Sequence, residues 1–199
     1  MLLTSSGLSS RALREAFSSS LPKAAGRCRA AVFAFVDNPA NLPYAQAAVR
    51  EVEACGVSRV DLLDFSAPNF RAPTEGYDAA YVCGGNTFEI LAAMRRTGLD
   101  SWLKAHIAAG ESYVGVSAGS IIPGPSIELA GWGSEGDPNN IGLQDLEGFG
   151  AAPFAVFPHY HAGLAGELAG FRKRVAYRII ELADGQGAVW DGETAEIVG

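Results

Sequence analysis

Residues 113–119 read Tyr-Val-Gly-Val-Ser-Ala-Gly, and this stretch decides the fold of the 199-residue chain. The apolar residues 113–116 predict a short buried strand. The pattern G-x-S-x-G follows in residues 115–119, and after a strand it is typical of a nucleophile elbow, a sharp strand-to-helix turn that exposes its serine. Glycine permits such a turn because it has no Cβ to clash. The stretch predicts Ser117 as a nucleophile, with an ordinary tight turn as the alternative.

Strand and helix patterns alternate on both sides of this elbow. Apolar runs predict strands at residues 30–36, 60–65, 79–83, 188–190 and 195–198. Helical patterns begin near residues 41, 87 and 100, and apolar spacings of three and four over residues 164–182 predict a long amphipathic helix. The alternation predicts an α/β fold, a three-layer sandwich with a mostly parallel central sheet, in a single domain spanning residues 1–199.

Composition and charge exclude several classes of partner. The net charge is −7, which disfavours nucleic acid because phosphate binding needs clustered Lys and Arg. No apolar run is long enough to span a membrane, and the first residues lack the apolar core of a signal peptide. Cys28, Cys55 and Cys83 are odd in number and lack metal-ligand spacing. We therefore expect a cytoplasmic protein without a metal or an organic cofactor, acting as a monomer or homodimer.

Histidine is the base that a serine nucleophile needs, and the chain contains three. His159 follows the apolar run 154–158, so it is expected at a strand end beside the elbow. His106 falls within a predicted helix and is expected to be a half-buried helix residue. His161 could line the pocket from an extended segment. His159 is therefore the predicted base, with a loop histidine bonded to backbone as the alternative.

A carboxylate is expected to orient the imidazole and stabilise its charged form. Asp191 is preferred because it follows the predicted strand 188–190 directly. An Asp-Gly turn in a hairpin would explain the same residue without catalysis. Asp137, Glu135 and Glu128, in the long segment after the elbow, stay open as alternatives.

Gly84-Gly85-Asn86 forms a predicted turn at another strand end. It lacks the later glycine of a dinucleotide-binding loop and the Gly-Lys-Ser/Thr of a P-loop, which disfavours nucleotide binding. The Gly85 N–H, together with the Ala118 N–H, instead suits an oxyanion hole. Cys83, just before this turn, is expected to be a core strand residue.

Four stretches together resemble one family, the serine peptidases of dipeptidase E (alpha-aspartyl dipeptidase) and cyanophycinase. They are residues 83–88 (CGGNTF), 115–120 (GVSAGS), 124–128 (GPSIE) and 158–160 (PHY), in matching order and spacing. The resemblance spans residues 30–199 and implies a class I glutamine amidotransferase-like (flavodoxin-like) fold. It also implies Ser117 as nucleophile, His159 as base, and an acid that falls on Asp191. It further implies small peptides as substrates. Separately from the resemblance, Asn86 and His161 are candidate binding residues.

Two departures from that family bear on the substrate. The chain ends at Gly199, whereas longer members carry a further C-terminal tail, so a short member is expected. In that family, specificity for N-terminal aspartate depends on a basic residue beyond the histidine. Arg172, Lys173 or Arg174 could supply it, but all three also fit the solvated face of the predicted helix, so Asp-X specificity is doubtful. An esterase of the α/β-hydrolase type and a non-catalytic amidotransferase-like binding module are the alternatives.

Overall fold

A seven-stranded sheet forms the centre of the computed structural model, which describes residues 1–199. Its strand order is β3-β2-β4-β5-β1-β8-β9, in which the first five strands run parallel and the last two are antiparallel to their neighbours. A separate parallel pair joins β6 to β7. The strands are β1 (Leu2–Thr4), β2 (Arg29–Ala34), β3 (Arg59–Asp64), β4 (Ala79–Val82), β5 (Ser112–Val116), β6 (Phe154–Phe157), β7 (Arg178–Glu181), β8 (Gly187–Trp190) and β9 (Ala195–Val198).

Helices cover both faces of the sheet. They are α1 (Arg11–Ser20), α2 (Leu42–Ala54), α3 (Thr87–Thr97), α4 (Leu99–Ala108), α5 (Ala118–Ile121) and α6 (Ala165–Arg172). Along β2, Ala31 and Phe33 pack into one apolar cluster with α3 and α4, while Ala30 and Val32 pack into another with α1 and α2. This alternation is what a strand with both faces buried requires. The predicted three-layer α/β fold is confirmed.

The strands and helices expected before residue 120 are observed with small shifts of their ends. The long helix predicted over residues 164–182 is wrong. Helix α6 ends at Arg172, and Arg178–Glu181 forms strand β7, which pairs with β6. Ile179 and Ile180 are both buried although they are adjacent in sequence. Consecutive β-branched side chains pack on opposite sides of a strand, which explains why this segment joins a sheet.

Strand β1 has no counterpart among the predicted elements. Its three residues are too few to show a periodicity, yet all are buried and pair with β5 on one side and β8 on the other. The pairing places Thr4 beside Val116. The segment after β1 therefore lies next to the elbow at Ser117.

None of the helices combines the length and the apolar character needed to cross a membrane.

Candidate active site

Ser117 lies between β5 and α5, as the elbow pattern predicts. Its backbone has φ +50° and ψ −112°, a conformation that non-glycine residues rarely adopt. A Cβ on Gly115 would lie 2.2 Å from the Gly119 carbonyl oxygen, and one on Gly119 would lie 2.5 Å from the Val82 carbonyl oxygen. The two glycines of the pattern are therefore required by packing within the turn and against β4.

His159 is in direct contact with the serine. It follows β6 and Pro158, and its Nε2 lies 3.0 Å from Ser117 Oγ. His159 has φ +55°, and it and Ser117 are the two non-glycine residues of the chain with positive φ. Such strained backbone persists where the surrounding structure enforces it, often at active sites. Ser117 and His159, which the sequence predicted to lie in contact, are thus the two non-glycine residues with a strained backbone.

Asp184 is the carboxylate at the imidazole. Its Oδ1 lies 2.7 Å from His159 Nδ1, so a proton on Nδ1 lets the ring donate to Asp184 and accept from Ser117. Strands β6 and β7 are parallel and pair Phe157 with Glu181, which brings the segments after both strands together. Hydrogen bonds from Ser5 and then His159 lower the pKa of Asp184, so it is ionised at neutral pH.

The expectation that Asp191 fills this position is corrected by the structure. Strand β8 is antiparallel to β1, with Gly187 opposite Thr4, so its carboxyl end points to the sheet edge away from Ser117. Asp191 instead accepts hydrogen bonds from the N–H groups of Glu193 and Thr194, and these contacts lower its pKa. The hairpin-turn alternative therefore describes Asp191.

The other carboxylate candidates do not contact His159. Asp137 Oδ2 accepts hydrogen bonds from the Thr87 N–H and hydroxyl at 2.8 and 2.7 Å, which ties the loop after the elbow to the start of α3. Glu135 pairs with His161 at 3.2 Å, and Glu128 pairs with Arg174 at 2.7 Å.

The predicted oxyanion donors lie at the elbow. A Cβ on Gly84 would lie 3.1 Å from Ser117 Cβ, so this turn passes directly against the serine. Gly85 has φ +143°, and its N–H has no acceptor within the protein. Ala118 is the first residue of α5, so its N–H lacks an intrahelical acceptor. Neither amide is engaged within the protein, so the oxyanion hole stays a prediction.

The predicted substrate-binding residues have structural partners. Asn86 caps α3 by accepting from the Phe88 and Glu89 N–H groups, and it donates to the Pro138 carbonyl oxygen. Arg172 donates to Glu181 Oε1 at 2.7 Å. Substrate contact by Asn86 remains a prediction, whereas Arg172 is already neutralised.

The two other histidines do not contact Ser117. His106 lies in α4 as expected, but it is buried and not half-buried: it is 6% exposed, stacks on Trp102 and contacts the Ser112 carbonyl oxygen, and burial lowers its pKa. His161 accepts a hydrogen bond from the Gly163 N–H and contacts Glu135. Glu135 lines the cavity beside Ser117, whereas His161 does not. Its predicted binding role stays untested.

A cavity of about 90 Å³ opens beside Ser117 and His159. Trp132, Phe157 and Leu164 supply apolar walls, and its carboxylates are Glu135 and Asp137. Neither Lys nor Arg lines it. No group of three His, Cys, Asp or Glu side chains in the chain is placed to hold a metal. The chemistry available here is that of a serine, an imidazole and carboxylates.

Ser5 is a site residue that the sequence did not indicate. Its hydroxyl donates to Asp184 Oδ1 at 2.8 Å and accepts the His159 N–H at 2.8 Å. Ser5 follows β1 and is one of four serines in residues 5–10. Nothing in the sequence distinguishes it as a residue that contacts His159. Through its two hydrogen bonds, Ser5 links Asp184 to His159, and we infer a positioning role for it.

Replacing Ser5 with alanine is expected to lower kcat about 10-fold and leave KM nearly unchanged. The Ser5 hydrogen bond is the largest cause of the low pKa of Asp184, so its loss raises that pKa. Because Asp184 must be ionised to orient the imidazole, activity should begin to fall at a higher pH on acidification. A pH–rate profile measures this shift, and an exposed serine, changed in Ser9→Ala, is the control. A profile identical to wild type would remove Ser5 from the site.

The fold and the site together define an α/β protein with a serine at a nucleophile elbow. The model of peptidase family S51 matches residues 1–198, so the chain belongs to peptidase family S51. This match confirms the resemblance to dipeptidase E and its relatives. The match begins at residue 1, whereas the resemblance was expected to begin near residue 30.

Curated relatives support the family assignment. An uncharacterised peptidase of Listeria monocytogenes is 31% identical over 120 residues, which cover 59% of this chain and 58% of that protein. Peptidase E of Streptomyces coelicolor is 36% identical over 83 residues, covering 42% of this chain and 32% of the relative. The matched part thus spans little more than half the length of the Listeria relative.

Solved structures show the same architecture. A crystal structure of a candidate peptidase E from Listeria monocytogenes EGD-e aligns over 99% of this chain and 96% of its own, with TM-score 0.79 and 23% identity. A peptidase from an acI-B1 actinobacterium aligns over 100% of this chain and 86% of its own, with TM-score 0.70 and 17% identity. These matches confirm the class I glutamine amidotransferase-like fold.

Proposed function

We propose that this protein is a serine peptidase that hydrolyses small peptides through an acyl-enzyme. The observation that carries the proposal is the continuous contact from Ser117 Oγ to His159 Nε2 and from His159 Nδ1 to Asp184. Membership of peptidase family S51 supports amide bonds as the target. The chain order Ser117, His159, Asp184 differs from the Ser, acid, His order of α/β-hydrolases, which disfavours the esterase alternative.

Each side chain of the site has a defined role in the proposed reaction. Ser117 Oγ attacks the substrate carbonyl carbon while His159 Nε2 takes the hydroxyl proton, and Asp184 stabilises the imidazolium. The N–H groups of Gly85 and Ala118 donate to the oxyanion of the tetrahedral intermediate. His159 then protonates the leaving amine as the C–N bond breaks. A water molecule, deprotonated by His159, then attacks the carbonyl carbon of the acyl-enzyme. The bond between this carbon and Ser117 Oγ breaks, His159 returns the proton to Oγ, and the carboxylic acid product leaves.

The charges around the site disfavour an N-terminal aspartate. Glu135 and Asp137 line the cavity beside Ser117 without any Lys or Arg, and Arg172 is paired with Glu181. An acidic substrate side chain would meet carboxylates of its own sign, which costs free energy. We therefore propose that peptides with neutral or basic residues are preferred over Asp-X dipeptides as substrates.

A dipeptide library that includes Asp-X members tests this assignment. We expect turnover of neutral or basic members, with kcat/KM for Asp-X members at least about 10-fold lower. Released amino groups are measured for the protein and for Ser117→Ala, which corrects for contaminating peptidases. Preferred cleavage of Asp-X members would refute the specificity, and an untouched library would favour the amidotransferase-like binding module.

We further propose a reducing compartment, the cytoplasm, for this protein. Cys28, Cys55 and Cys83 are free thiols. Burial raises the pKa of Cys83 to about 12, so its thiol is protonated and poorly reactive at neutral pH. Cys83 was expected in the core of a strand, but it follows the end of β4 at Val82 and is half-buried. Its protonated thiol does not compete with Ser117 as a nucleophile.

A further inference from the structure

A second and larger cavity, of about 360 Å³, adjoins the elbow. Its lining includes Gly84, Gly85 and Val116, and Val116 immediately precedes Ser117. Its volume is comparable to that of pockets that enclose small ligands. A substrate whose carbonyl oxygen binds at Gly85 therefore has this cavity next to it.

Glu51 on α2 is the charged residue of this cavity. Its Oε2 accepts hydrogen bonds from the Leu8 N–H at 2.9 Å and from the Tyr81 hydroxyl at 2.8 Å. Tyr81 is 3% exposed, so the carboxylate is fixed against a buried partner. Oε1 receives no hydrogen bond from the protein. One oxygen thus anchors the side chain, and the other is left for a ligand.

No cation of the protein neutralises Glu51. It takes part in none of the ion pairs of the structure, and Arg14 donates to the carbonyl oxygens of Leu8 and Ser9 instead. The remaining walls are mainly apolar, with Phe35 and several alanines. A half-buried carboxylate in such surroundings binds a cation favourably because a charged hydrogen bond replaces lost hydration.

The mainly apolar walls of the cavity select the kind of cation. A backbone ammonium of the substrate has no apolar stem to pack against these walls. A Lys or Arg side chain can instead place its apolar stem along the walls and its charge at the carboxylate.

We propose that this cavity is a subsite for a Lys or Arg side chain of the substrate, with Glu51 as its specificity-determining residue. The assignment rests on the proposed peptidase function, since it identifies one substrate residue of that reaction. The geometry links the two sites because Gly84 contacts Ser117 on one side and lines the cavity on the other.

Binding of N-acetyl-lysine methylamide and its norleucine analogue tests the subsite without catalysis. In equilibrium titrations of the full chain, we expect the lysine compound to bind at least about 10-fold more tightly. Glu51→Gln should remove this preference, because Gln retains an acceptor for Leu8 or Tyr81 but has no charge. Glu53→Gln, an exposed position two residues along α2, is the matched control.

Ala47→Lys provides a second test that keeps Glu51 in place. Residue 47 lies one helical turn before Glu51 and lines the same cavity, so the new ammonium can pair with the carboxylate. We expect this variant also to lose the lysine preference, and thermal unfolding verifies that each variant is folded. Two results would overturn the subsite. One is equal affinity of the wild-type protein for the lysine and norleucine compounds. The other is an unchanged lysine preference in folded Glu51→Gln and Ala47→Lys.

A separate measurement distinguishes failure of the subsite from failure of the peptidase assignment. The acyl-enzyme burst with p-nitrophenyl acetate, a small neutral ester, depends on Ser117 and carries no basic side chain. A normal burst with no lysine preference would reject the subsite alone. Lysine preference without a burst would reject the peptidase function and leave a cation-binding pocket.

Discussion

Ser117→Ala is expected to abolish the acyl-enzyme burst and to lower kcat for peptides by at least about 10⁴-fold. The hydroxyl is the group that forms the covalent bond, and no other nucleophile contacts His159 Nε2. The change removes one oxygen from a half-buried side chain, so the fold should persist. A stopped-flow burst with p-nitrophenyl acetate and steady-state peptide turnover measure the two effects.

The control for this experiment is Ser18→Ala, an exposed serine on α1. It should leave the burst amplitude at the wild-type value. A burst of full amplitude in folded Ser117→Ala would assign the chemistry to another residue. Labelling by a fluorophosphonate, followed by mass spectrometry of the modified peptide, identifies the nucleophile independently.

Asp184→Asn is expected to lower kcat by about 10²- to 10⁴-fold, while Asp191→Asn leaves kcat near the wild-type value. The amide at position 184 cannot stabilise the imidazolium, and it favours the wrong tautomer of His159. The Asp184 side chain is 68% exposed, so solvent screening places the effect below that of the nucleophile. Steady-state kinetics of the two variants, side by side, measure the difference.

The same pair of variants separates catalysis from stability. Asp191 accepts hydrogen bonds from two backbone N–H groups in the turn between β8 and β9. Asp191→Asn should therefore lower the unfolding temperature while leaving kcat near the wild-type value. A large loss of kcat in Asp191→Asn with none in Asp184→Asn would restore the sequence-based choice. Circular dichroism melts and kinetics on the same preparations decide the matter.

Local sequence predicted Ser117 and His159 as the nucleophile and the base of the proposed mechanism. Gly115, Ser117 and Gly119 encode a turn that few residue types can form, because a Cβ at either glycine would overlap backbone atoms. The strand before His159 was recognisable from its apolar run. Parallel strands bring their carboxyl ends to one edge, so these two local patterns also imply that the side chains meet. The contact of 3.0 Å between Ser117 and His159 agrees with that inference.

The tertiary structure alone placed Asp184 and Ser5 against His159. The apolar spacing of residues 164–182 resembles that of a helix. Residues 178–181 of this segment nevertheless form strand β7, because β6 offers a parallel partner. Asp191 follows a strand, as expected, but antiparallel pairing with β1 turns its end away from Ser117. Strand direction and pairing depend on contacts between segments far apart in the chain. For that physical reason, Ser5 and Asp184, 179 residues apart, are joined only by the fold.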